Sequence, residues 1–203
     1  MKRKILVAST NPGKLGELRA MLGRDVRWVS LADFPGIEEI AEDGPTFAEN
    51  ARKKALGYAR ATGLWTIADD SGLMVNALGG APGVKSARFS GEKETDRGLL
   101  DHKNMAKLLK LLKAVPSQKR TARFVCRLCL ASPEKVLIET EGTLEGIIAQ
   151  SEIGTNGFGY DPVFFVPEMK KTVAQLSPGQ KNAISHRGRA IAKLKPLLTE
   201  LLR

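Results

Sequence analysis

The sequence contains few of the residues that bind transition metals: of its 203 residues, only two are cysteine and two are histidine. Cys126 and Cys129 form a C-x-x-C pair on a predicted strand, where the odd spacing sends the two side chains to opposite faces. No second cysteine pair accompanies them. A zinc site is therefore disfavoured, and we expect two buried free thiols.

Long apolar runs are also missing. None approaches the roughly 18 to 20 residues that a membrane span needs. The basic start, Met1 to Lys4, is followed by only a short apolar run before polar residues resume at Ser9. We therefore expect a cytoplasmic protein with no membrane partner.

Acidic residues are scarce relative to basic ones, 22 against 32, which gives a formal net charge of +10. The stretch 102–133 contains no acidic residue, and a stripe of lysines lies opposite leucines on a predicted helix: Lys103, Lys107 and Lys110. Such a stripe is typical of a solvated helix face. Nucleic-acid sites add interleaved aromatic residues, which make up only 5% of this chain. We favour solubility, or a general attraction of phosphates, over stable nucleic-acid binding.

The order of predicted elements indicates an α/β fold in a single domain, 1–203. A hydrophobic content of 42% is enough for one sizeable core. Hydrophobic spacing predicts strands over 4–8, 27–29, 64–68, 120–131, 136–150 and 163–166. It predicts helices over 15–22, 46–61 and 95–114, and a last helix that ends at Arg203 and is interrupted at Pro196.

Local signals mark where these elements begin and end. Thr46 is the predicted N-cap of the second helix, Gly63 ends that helix, and either Thr95 or Asp96 caps the third helix. The residues 132–135 predict a hairpin turn within an antiparallel ribbon. Further along this ribbon, two glycines predict a turn or a bulge: Gly142 and Gly146.

Two adjacent carboxylates, Asp69 and Asp70, follow the apolar run 64–68 and precede Ser71 and Gly72. This order predicts a strand that delivers polar side chains to a turn at its end. If the strand persists, the two carboxylates face opposite sides, so that one serves the fold and the other a ligand. Such carboxylates suit Mg²⁺ and can accept a proton from water. A turn capped by Asp and Ser is the alternative.

A second polar segment, S-T-N-P-G-K, connects the first strand to the first helix. Backbone N–H groups and the helix dipole converge on anions at such a position in α/β folds. Lys14 adds a full positive charge. The segment lacks the P-loop spacing, and an ordinary capped turn is the alternative.

The last third of the chain contains a third polar cluster, T-N-G-F-G-Y-D-P. Glycines on both sides of Phe158 allow its ring to approach a flat ligand, and Tyr160 and Asp161 add polar groups. A purine base would fit that combination. Further on, His186 and Arg187 either contact phosphate or base oxygens or cap a helix.

Five motifs in this order resemble the inosine/xanthosine triphosphate pyrophosphatase family: A-S-T-N-P-G-K, E-D-G-P-T-F-A-E-N-A, the stretch from A-D-D-S-G to S-A-R-F-S-G, T-N-G-F-G-Y-D-P-V-F-F-V-P and A-I-S-H-R-G-R-A. The resemblance covers nearly the whole chain. It implies a two-lobed α/β fold around a long mixed β-sheet, a nucleotide cleft between the lobes and a homodimer. It also implies Mg²⁺-dependent cleavage of ITP, dITP or XTP into the nucleoside monophosphate and pyrophosphate.

The resemblance assigns the general base and a metal ligand to Asp70, and a substrate contact to Ser71. The other substrate-binding positions that it implies are Ser9, Thr10, Asn11, Pro12, Gly13, Lys14, Phe158, Gly159, Tyr160, Asp161, Lys181, His186 and Arg187. Many relatives have two glutamates before the second motif's turn, whereas this chain has Ala41 at the first position. Glu42 is therefore the nearest candidate for a second metal ligand.

These assignments give a coherent chemistry. Mg²⁺ and three lysines (Lys14, Lys54 and Lys181) would neutralise the triphosphate. Asp70 would orient or deprotonate water, and Asp69 would hold Asp70 in place or tune the pKa of Asp70. N–H groups of the backbone or of Arg187 would donate to the 6-oxo group of the purine. Adenine, which has an amino group at that position, would be badly paired.

Two other functions are compatible with parts of the pattern. A nucleotide-binding or nucleic-acid-binding module without catalysis would use the basic helix face. A hydrolase for pyrimidine or methylated triphosphates would keep the Asp70 site and differ at Phe158 and His186. The intact D-D-S motif disfavours the first, and the complete F-G-Y-D and S-H-R-G motifs disfavour the second.

Overall fold

The computed structural model describes residues 2–23 and 26–203. Within these ranges the chain forms seven strands and five α-helices. The strands are β1 (Lys4–Ala8), β2 (Arg27–Ser30), β3 (Trp65–Val75), β4 (Thr121–Ala131), β5 (Val136–Ile148), β6 (Phe164–Val166) and β7 (Lys171–Thr172). The α-helices are α1 (Pro12–Leu22), α2 (Phe47–Thr62), α3 (Arg97–Leu111), α4 (Pro178–Ile184) and α5 (His186–Leu201).

The strands form one mixed sheet in the order β2-β1-β3-β4-β5-β6-β7. β1 pairs in parallel with β2 and with β3, as expected for strands joined through helices. β6 pairs antiparallel with both β5 and β7. The predicted α/β class with a mixed sheet is confirmed.

The chain divides into two compact units. The first comprises Met1–Asp70, Cys126–Gly142 and His186–Arg203, and the second comprises Ser71–Val125 and Thr143–Ser185. The strands β3, β4 and β5 each contribute residues to both units. The two units are therefore not consecutive along the sequence, because each is built from separate segments of the chain.

The sheet of the first unit is apolar on both faces because its strands alternate between two cores. One core combines strand residues such as Ile5, Val7 and Cys126 with buried residues of α1 and α5. The other combines Leu6, Cys129 and further strand residues with α2. The predicted placement of the two cysteines on opposite faces, as buried free thiols, is confirmed.

The second unit has its own core, which joins α3 to the strand segments of that unit. Buried side chains include Leu73, Leu108 and Val163, and the rings of Phe124 and Phe164 stack with centroids 4.4 Å apart. Stacked rings of this kind add specificity to the burial of apolar surface. This unit is thus held by its own apolar packing.

The predicted helix caps are largely confirmed. The Thr46 hydroxyl accepts a hydrogen bond from the Glu49 N–H at the start of α2, and Gly63 ends that helix in the left-handed conformation. Of the two candidates before α3, Asp96 is the cap, since its carboxylate accepts from the Leu99 N–H at 2.8 Å. The Ser132 N–H donates to the Lys135 carbonyl at 2.9 Å and closes the predicted hairpin.

Two predicted interruptions, the turn after Asp70 and the break at Pro196, were wrong, and so was the turn at the glycines of β5, where the alternative of a bulge stays a prediction. β3 does not turn at Ser71 and Gly72 but continues to Val75, and β5 continues through both of its glycines. Each glycine instead allows a close approach: a Cβ would collide with Ser86 at Gly72, with the His186 carbonyl at Gly142 and with the Phe164 ring at Gly146. α5 likewise continues through Pro196, because buried residues on both sides, Leu194 and Leu198, pack into the first core.

No helix among residues 2–23 and 26–203 is both long and apolar enough to cross a membrane.

Candidate active site

The turn between β1 and α1 is built from its own polar side chains. The Asn11 side chain accepts from the Lys14 N–H at 3.1 Å and caps α1, while the Ser9 hydroxyl accepts from the Asn11 N–H at 3.2 Å. Pro12 occupies the first helical position, where its missing N–H costs nothing. The Lys14 side chain, the flanking residues Thr10 and Gly13, and the amino-terminal dipole of α1 therefore lie at one end of this helix.

Asp69 lies in β3 at the centre of a buried ionic network and is 1% exposed. Its Oδ1 is 2.6 Å from the Lys14 Nζ. Its Oδ2 accepts from the Arg187 Nε at 2.8 Å and from the Cys126 Sγ at 3.1 Å. The same Arg187 guanidinium also pairs with Glu17 of α1. Two cations and two carboxylates thus compensate one another.

The charges of this network are fixed by their mutual contacts. Burial alone would raise the pKa of Asp69, but Arg187 and Lys14 outweigh it and hold that pKa well below its usual value. Burial would lower the pKa of Arg187, and the nearby carboxylates of Asp69 and Glu17 raise it instead. Burial and the Asp69 charge raise the pKa of the Cys126 thiol, which remains a neutral donor. Asp69 is therefore a permanent anion in the folded protein.

Asp70, the next residue of β3, has a different set of neighbours and is 4% exposed. Burial raises its pKa to about 6, against the opposing effects of Lys54, Lys14 and a hydrogen bond from the Asn50 side chain. The negative charge of Glu42 raises it further. A carboxylate with such a pKa is mostly ionised near neutral pH and is a stronger base than an ordinary aspartate.

Lys54 connects the Glu42 carboxylate to the backbone of β3. Its Nζ donates to Glu42 Oε1 and to the Asp69 carbonyl oxygen, both at 2.6 Å. Lys54 lies on the buried face of α2, as does Asn50, so this helix supplies both groups from one side. The arrangement places a cation beside Asp70 and Glu42.

The donor set fits Mg²⁺ shared with a substrate, but not a metal held by protein alone. Among the described residues, no group of three or more His, Cys, Asp or Glu side chains could enclose an ion. Asp70 and Glu42 lie near enough for the charge of Glu42 to raise the pKa of Asp70, and a cation would relieve that repulsion. Mg²⁺ is commonly bound by one or two carboxylates together with substrate phosphates.

The second unit contains a separate cluster around the glycine loop, Gly157–Tyr160. The Phe158 N–H donates to Asp161 Oδ2 at 2.9 Å, and the Lys181 Nζ lies 2.5 Å from the same oxygen and 4.3 Å from the centroid of the Phe158 ring. The Tyr160 hydroxyl donates to the Ser86 carbonyl at 2.9 Å. Gly157 and Gly159 both have positive φ, 81° and 63°, which explains the choice of glycine. An aromatic face and a cation are thus held together.

The structure therefore assembles the predicted residues in two groups. The first unit brings together Lys14, Asp69, Arg187, Lys54, Asp70 and Glu42, with His186 buried at the start of α5. The second unit brings together Phe158, Gly159, Tyr160, Asp161 and Lys181, and Ser71 is half-buried in β3. Asp69 and Asp70 have different partners, as the strand alternation predicted. The substrate and metal roles of all these residues stay predictions.

Sequence reasoning missed the residues that hold these groups in place. In the first unit they are Glu17, Asn50 and Cys126, and in the second they are Ser86 and Asp101. Helical spacing was an available signal for Asn50, a polar residue four positions before Lys54 on one face of α2. Contacts of Cys126 and Asp101 join distant parts of the sequence and leave no local pattern.

The basic stripe of α3 is only partly solvated. Lys103 lies 2.8 Å from Glu92 and 3.3 Å from Glu94. The Lys107 ammonium donates to the Phe89 carbonyl at 2.8 Å and lies 4.9 Å from the Phe89 ring centroid. Two of the three lysines thus contact the segment 89–94, Lys103 through two acidic residues and Lys107 through the Phe89 carbonyl and ring.

The chain is similar to known proteins over nearly its whole length. The model of the Ham1 family matches residues 5–197. A dITP/XTP pyrophosphatase of Desulforamulus reducens is 50% identical over 201 residues, covering 98% of this chain and 96% of the relative. One from Geobacter sulfurreducens is 51% identical over 193 residues, covering 95% and 94%.

Solved structures are similar over comparable lengths. A HAM1 protein from Coxiella burnetii has a TM-score of 0.87 and 40% identity, covering 98% of this chain and 99% of that one. A nucleoside-triphosphatase, or dITP/XTP pyrophosphatase, from Mycobacterium abscessus has a TM-score of 0.76 and 47% identity, covering 95% and 99%.

The Asp69 network predicts a large effect on stability. Asp69→Asn leaves the Lys14 and Arg187 cations without their shared anion, and should lower the free energy of unfolding by about 3 to 5 kcal/mol. Urea unfolding followed by tryptophan fluorescence measures this change. Glu139→Gln is the matched control, since Glu139 pairs with Arg52 in an exposed ion pair, and its effect should stay within about 1 kcal/mol. An Asp69→Asn variant as stable as the control would contradict the interpretation.

Proposed function

Because the chain belongs to the Ham1 family, we propose that it hydrolyses deaminated purine nucleoside triphosphates to the nucleoside monophosphate and pyrophosphate. The proposed substrates are ITP, dITP and XTP, and the names of its relatives include dITP and XTP. The observation that carries the proposal is the buried Asp70 carboxylate with Lys54 close by, since the Lys54 ammonium is held by Glu42 and by the Asp69 carbonyl next to it in β3. This reaction removes deaminated purines from the nucleotide pool before they enter DNA or RNA.

The lysines of the first unit provide the charge that a triphosphate requires. Lys14 is 16% exposed, extends from the amino-terminal end of α1 and is bound to Asp69 in the structure. A phosphate group would compete with Asp69 for this ammonium, and Arg187 and Cys126 would continue to compensate the Asp69 charge. Lys54 is held beside Asp70 by Glu42 and by the Asp69 carbonyl. Both cations are thus positioned before substrate arrives.

Asp70 is the residue that would act on the attacking water. Burial raises the pKa of Asp70 to about 6 in the protein without a metal, so it is mostly ionised near neutral pH and able to accept a proton. The hydrogen bond from Asn50 limits the rotation of the carboxylate. Asp69 supports Asp70 indirectly, by fixing the strand and the neighbouring ammonium groups.

Mg²⁺ is the proposed metal, with Asp70 and Glu42 as its protein ligands. When bound, it would neutralise phosphate charge and leave the α-phosphorus open to in-line attack. Lys54, which binds Glu42 in the structure, would contribute a second positive charge next to this ion. This chain has Ala41 in place of a second glutamate, so substrate oxygens would complete the coordination.

The glycine loop of the second unit is the proposed base platform. Phe158 offers a ring for stacking on its open face. The Lys181 ammonium lies over the ring and is bound to Asp161, so a donor and an acceptor are close to the platform. Arg187, the other predicted base contact, is 1% exposed and bound to Asp69 and Glu17. Reading a 6-oxo group would therefore require Arg187 to share its donors. A homodimer and a cytoplasmic location stay predictions.

The direct test is pyrophosphate release from ITP, XTP, dITP, GTP, ATP and UTP, each with Mg²⁺ and with a chelator. Detection must separate pyrophosphate from orthophosphate. We expect Mg²⁺-dependent release of pyrophosphate from ITP, dITP and XTP that is at least about tenfold faster than release from ATP. The reason is that adenine has an amino donor at the 6-position, where the proposed site supplies donors and needs an acceptor on the base. Release of orthophosphate, or no turnover of these three substrates, would overturn the proposal.

Asp70→Asn tests the assigned base. The variant should lose turnover of ITP by about 100-fold or more, because the amide cannot accept the proton. Its unfolding midpoint should equal or exceed that of the wild type, since the raised pKa means that burying the charge is unfavourable. Asp43→Asn is the control, because this exposed carboxylate pairs with Lys53 on the protein surface. Near-normal turnover in Asp70→Asn would rule out the assigned role.

A further inference from the structure

The glycine loop is held by hydrogen bonds at three consecutive residues. The Phe158 N–H binds Asp161 and the Tyr160 hydroxyl binds the Ser86 carbonyl. Between them, the Gly159 N–H donates to Asp101 Oδ2 at 2.8 Å. Asp161 is only three residues from Phe158 in sequence, so its contact fixes the loop internally. Asp101 belongs to α3 and ties the loop to an element of the core.

Asp101 is an unusual residue for its place in the fold. It lies on the buried face of α3, which also contains Met105 and Leu108, and it is itself 8% exposed. Burying a carboxylate is costly unless it is hydrogen-bonded or paired. Its two oxygens are used differently: Oδ2 accepts from Gly159, and Oδ1 lies 3.4 Å from the Arg97 Nε, one helical turn away. The contact to Gly159 is the shorter of the two.

The backbone conformation of Gly159 allows this contact to influence the neighbouring Phe158. Its φ of 63° lies in the left-handed region, so the peptide on its amino-terminal side has an orientation that most residues would not adopt. That peptide links it to Phe158, whose ring lies against the Lys181 ammonium. Fixing the Gly159 N–H therefore restricts the backbone that carries the Phe158 ring. Burial, together with the Asp101 charge, also raises the pKa of Tyr160, which places Asp101 near that hydroxyl as well.

We propose that Asp101 is a positioning residue for base recognition: through the Gly159 N–H it holds the Phe158 ring in the orientation that stacks on the purine. This inference rests on the proposed function for the identity of the ligand. It extends that function to a residue of α3 that makes no contact with substrate itself.

The first measurement is hydrogen exchange, which needs no substrate. In Asp101→Ala, a peptide covering 157–160 should exchange about tenfold faster than in the wild type, because a charge-assisted hydrogen bond to its amide is lost. Asp101→Asn keeps an acceptor oxygen of the same shape and should restore most of the protection. Peptides from the interior of β4 should not change in either variant. Unchanged exchange at 157–160 in Asp101→Ala would overturn the positioning role by itself.

The second measurement is steady-state hydrolysis of ITP with Mg²⁺. In Asp101→Ala, KM should rise about tenfold while kcat stays within about twofold, because the loop acts on binding of the base rather than on the α-phosphorus. Asp101→Asn should lie close to the wild type, and so should Arg97→Ala, which removes the ion pair without touching Gly159. A fall in kcat with KM unchanged would overturn the proposal. Failure of the wild type to hydrolyse ITP would overturn the proposed function, a result that the exchange experiment separates from the positioning role.

Discussion

The Asp69 carboxylate lies within hydrogen-bonding distance of an ammonium, a guanidinium and a thiol, and it has almost no contact with solvent. A buried anion is tolerated only when its partners compensate its charge, and here those partners come from α1, β4 and α5. The same network fixes the Lys14 ammonium, and the Asp69 backbone carbonyl receives the Lys54 ammonium. The cations that we assign to phosphate binding are therefore held by a residue that has no assigned contact with the substrate itself. The pKa of Asp69 is therefore lowered by its cations, whereas the pKa of the adjacent Asp70 is raised by burial.

Both clusters follow one principle of construction, in which a reactive or recognising group is held by a buried polar residue from another element. In the first unit, Asn50 binds Asp70, and Glu17 binds Arg187. In the second, Asp101 and the Ser86 carbonyl bind the glycine loop. Such supporting residues keep side chains within the narrow range of orientations that catalysis and stacking require. Buried polar contacts thus support both the Asp70 region of the first unit and the glycine loop of the second unit.

The sequence allowed the fold class, the helix caps and the candidate residues to be predicted, because these depend on local patterns or on a motif resemblance. Thr46, Gly63 and the alternation that separates Cys126 from Cys129 are local signals. The glycines of β3 and β5 were misinterpreted as turns, because their real cause is a neighbouring backbone or ring that sequence spacing does not reveal. Pro196 was misinterpreted for a similar reason, since tertiary packing on both sides sustains α5. The supporting contacts of Cys126 with Asp69 and of Asp101 with Gly159 span 57 and 58 positions and could not be predicted from either residue alone.

The central claim is that Asp69 is a permanently ionised anchor for the cations of the first unit. A carbon-13 NMR titration of labelled aspartate carboxyls, with the Asp69 signal assigned through Asp69→Asn, tests it most directly. The account predicts that this signal stays at its ionised position throughout the pH range in which the protein is folded, with no inflection at or above about 4, the ordinary aspartate value. An inflection at or above that value in the folded protein would contradict it, because the carboxyl could not then be held by Lys14 and Arg187.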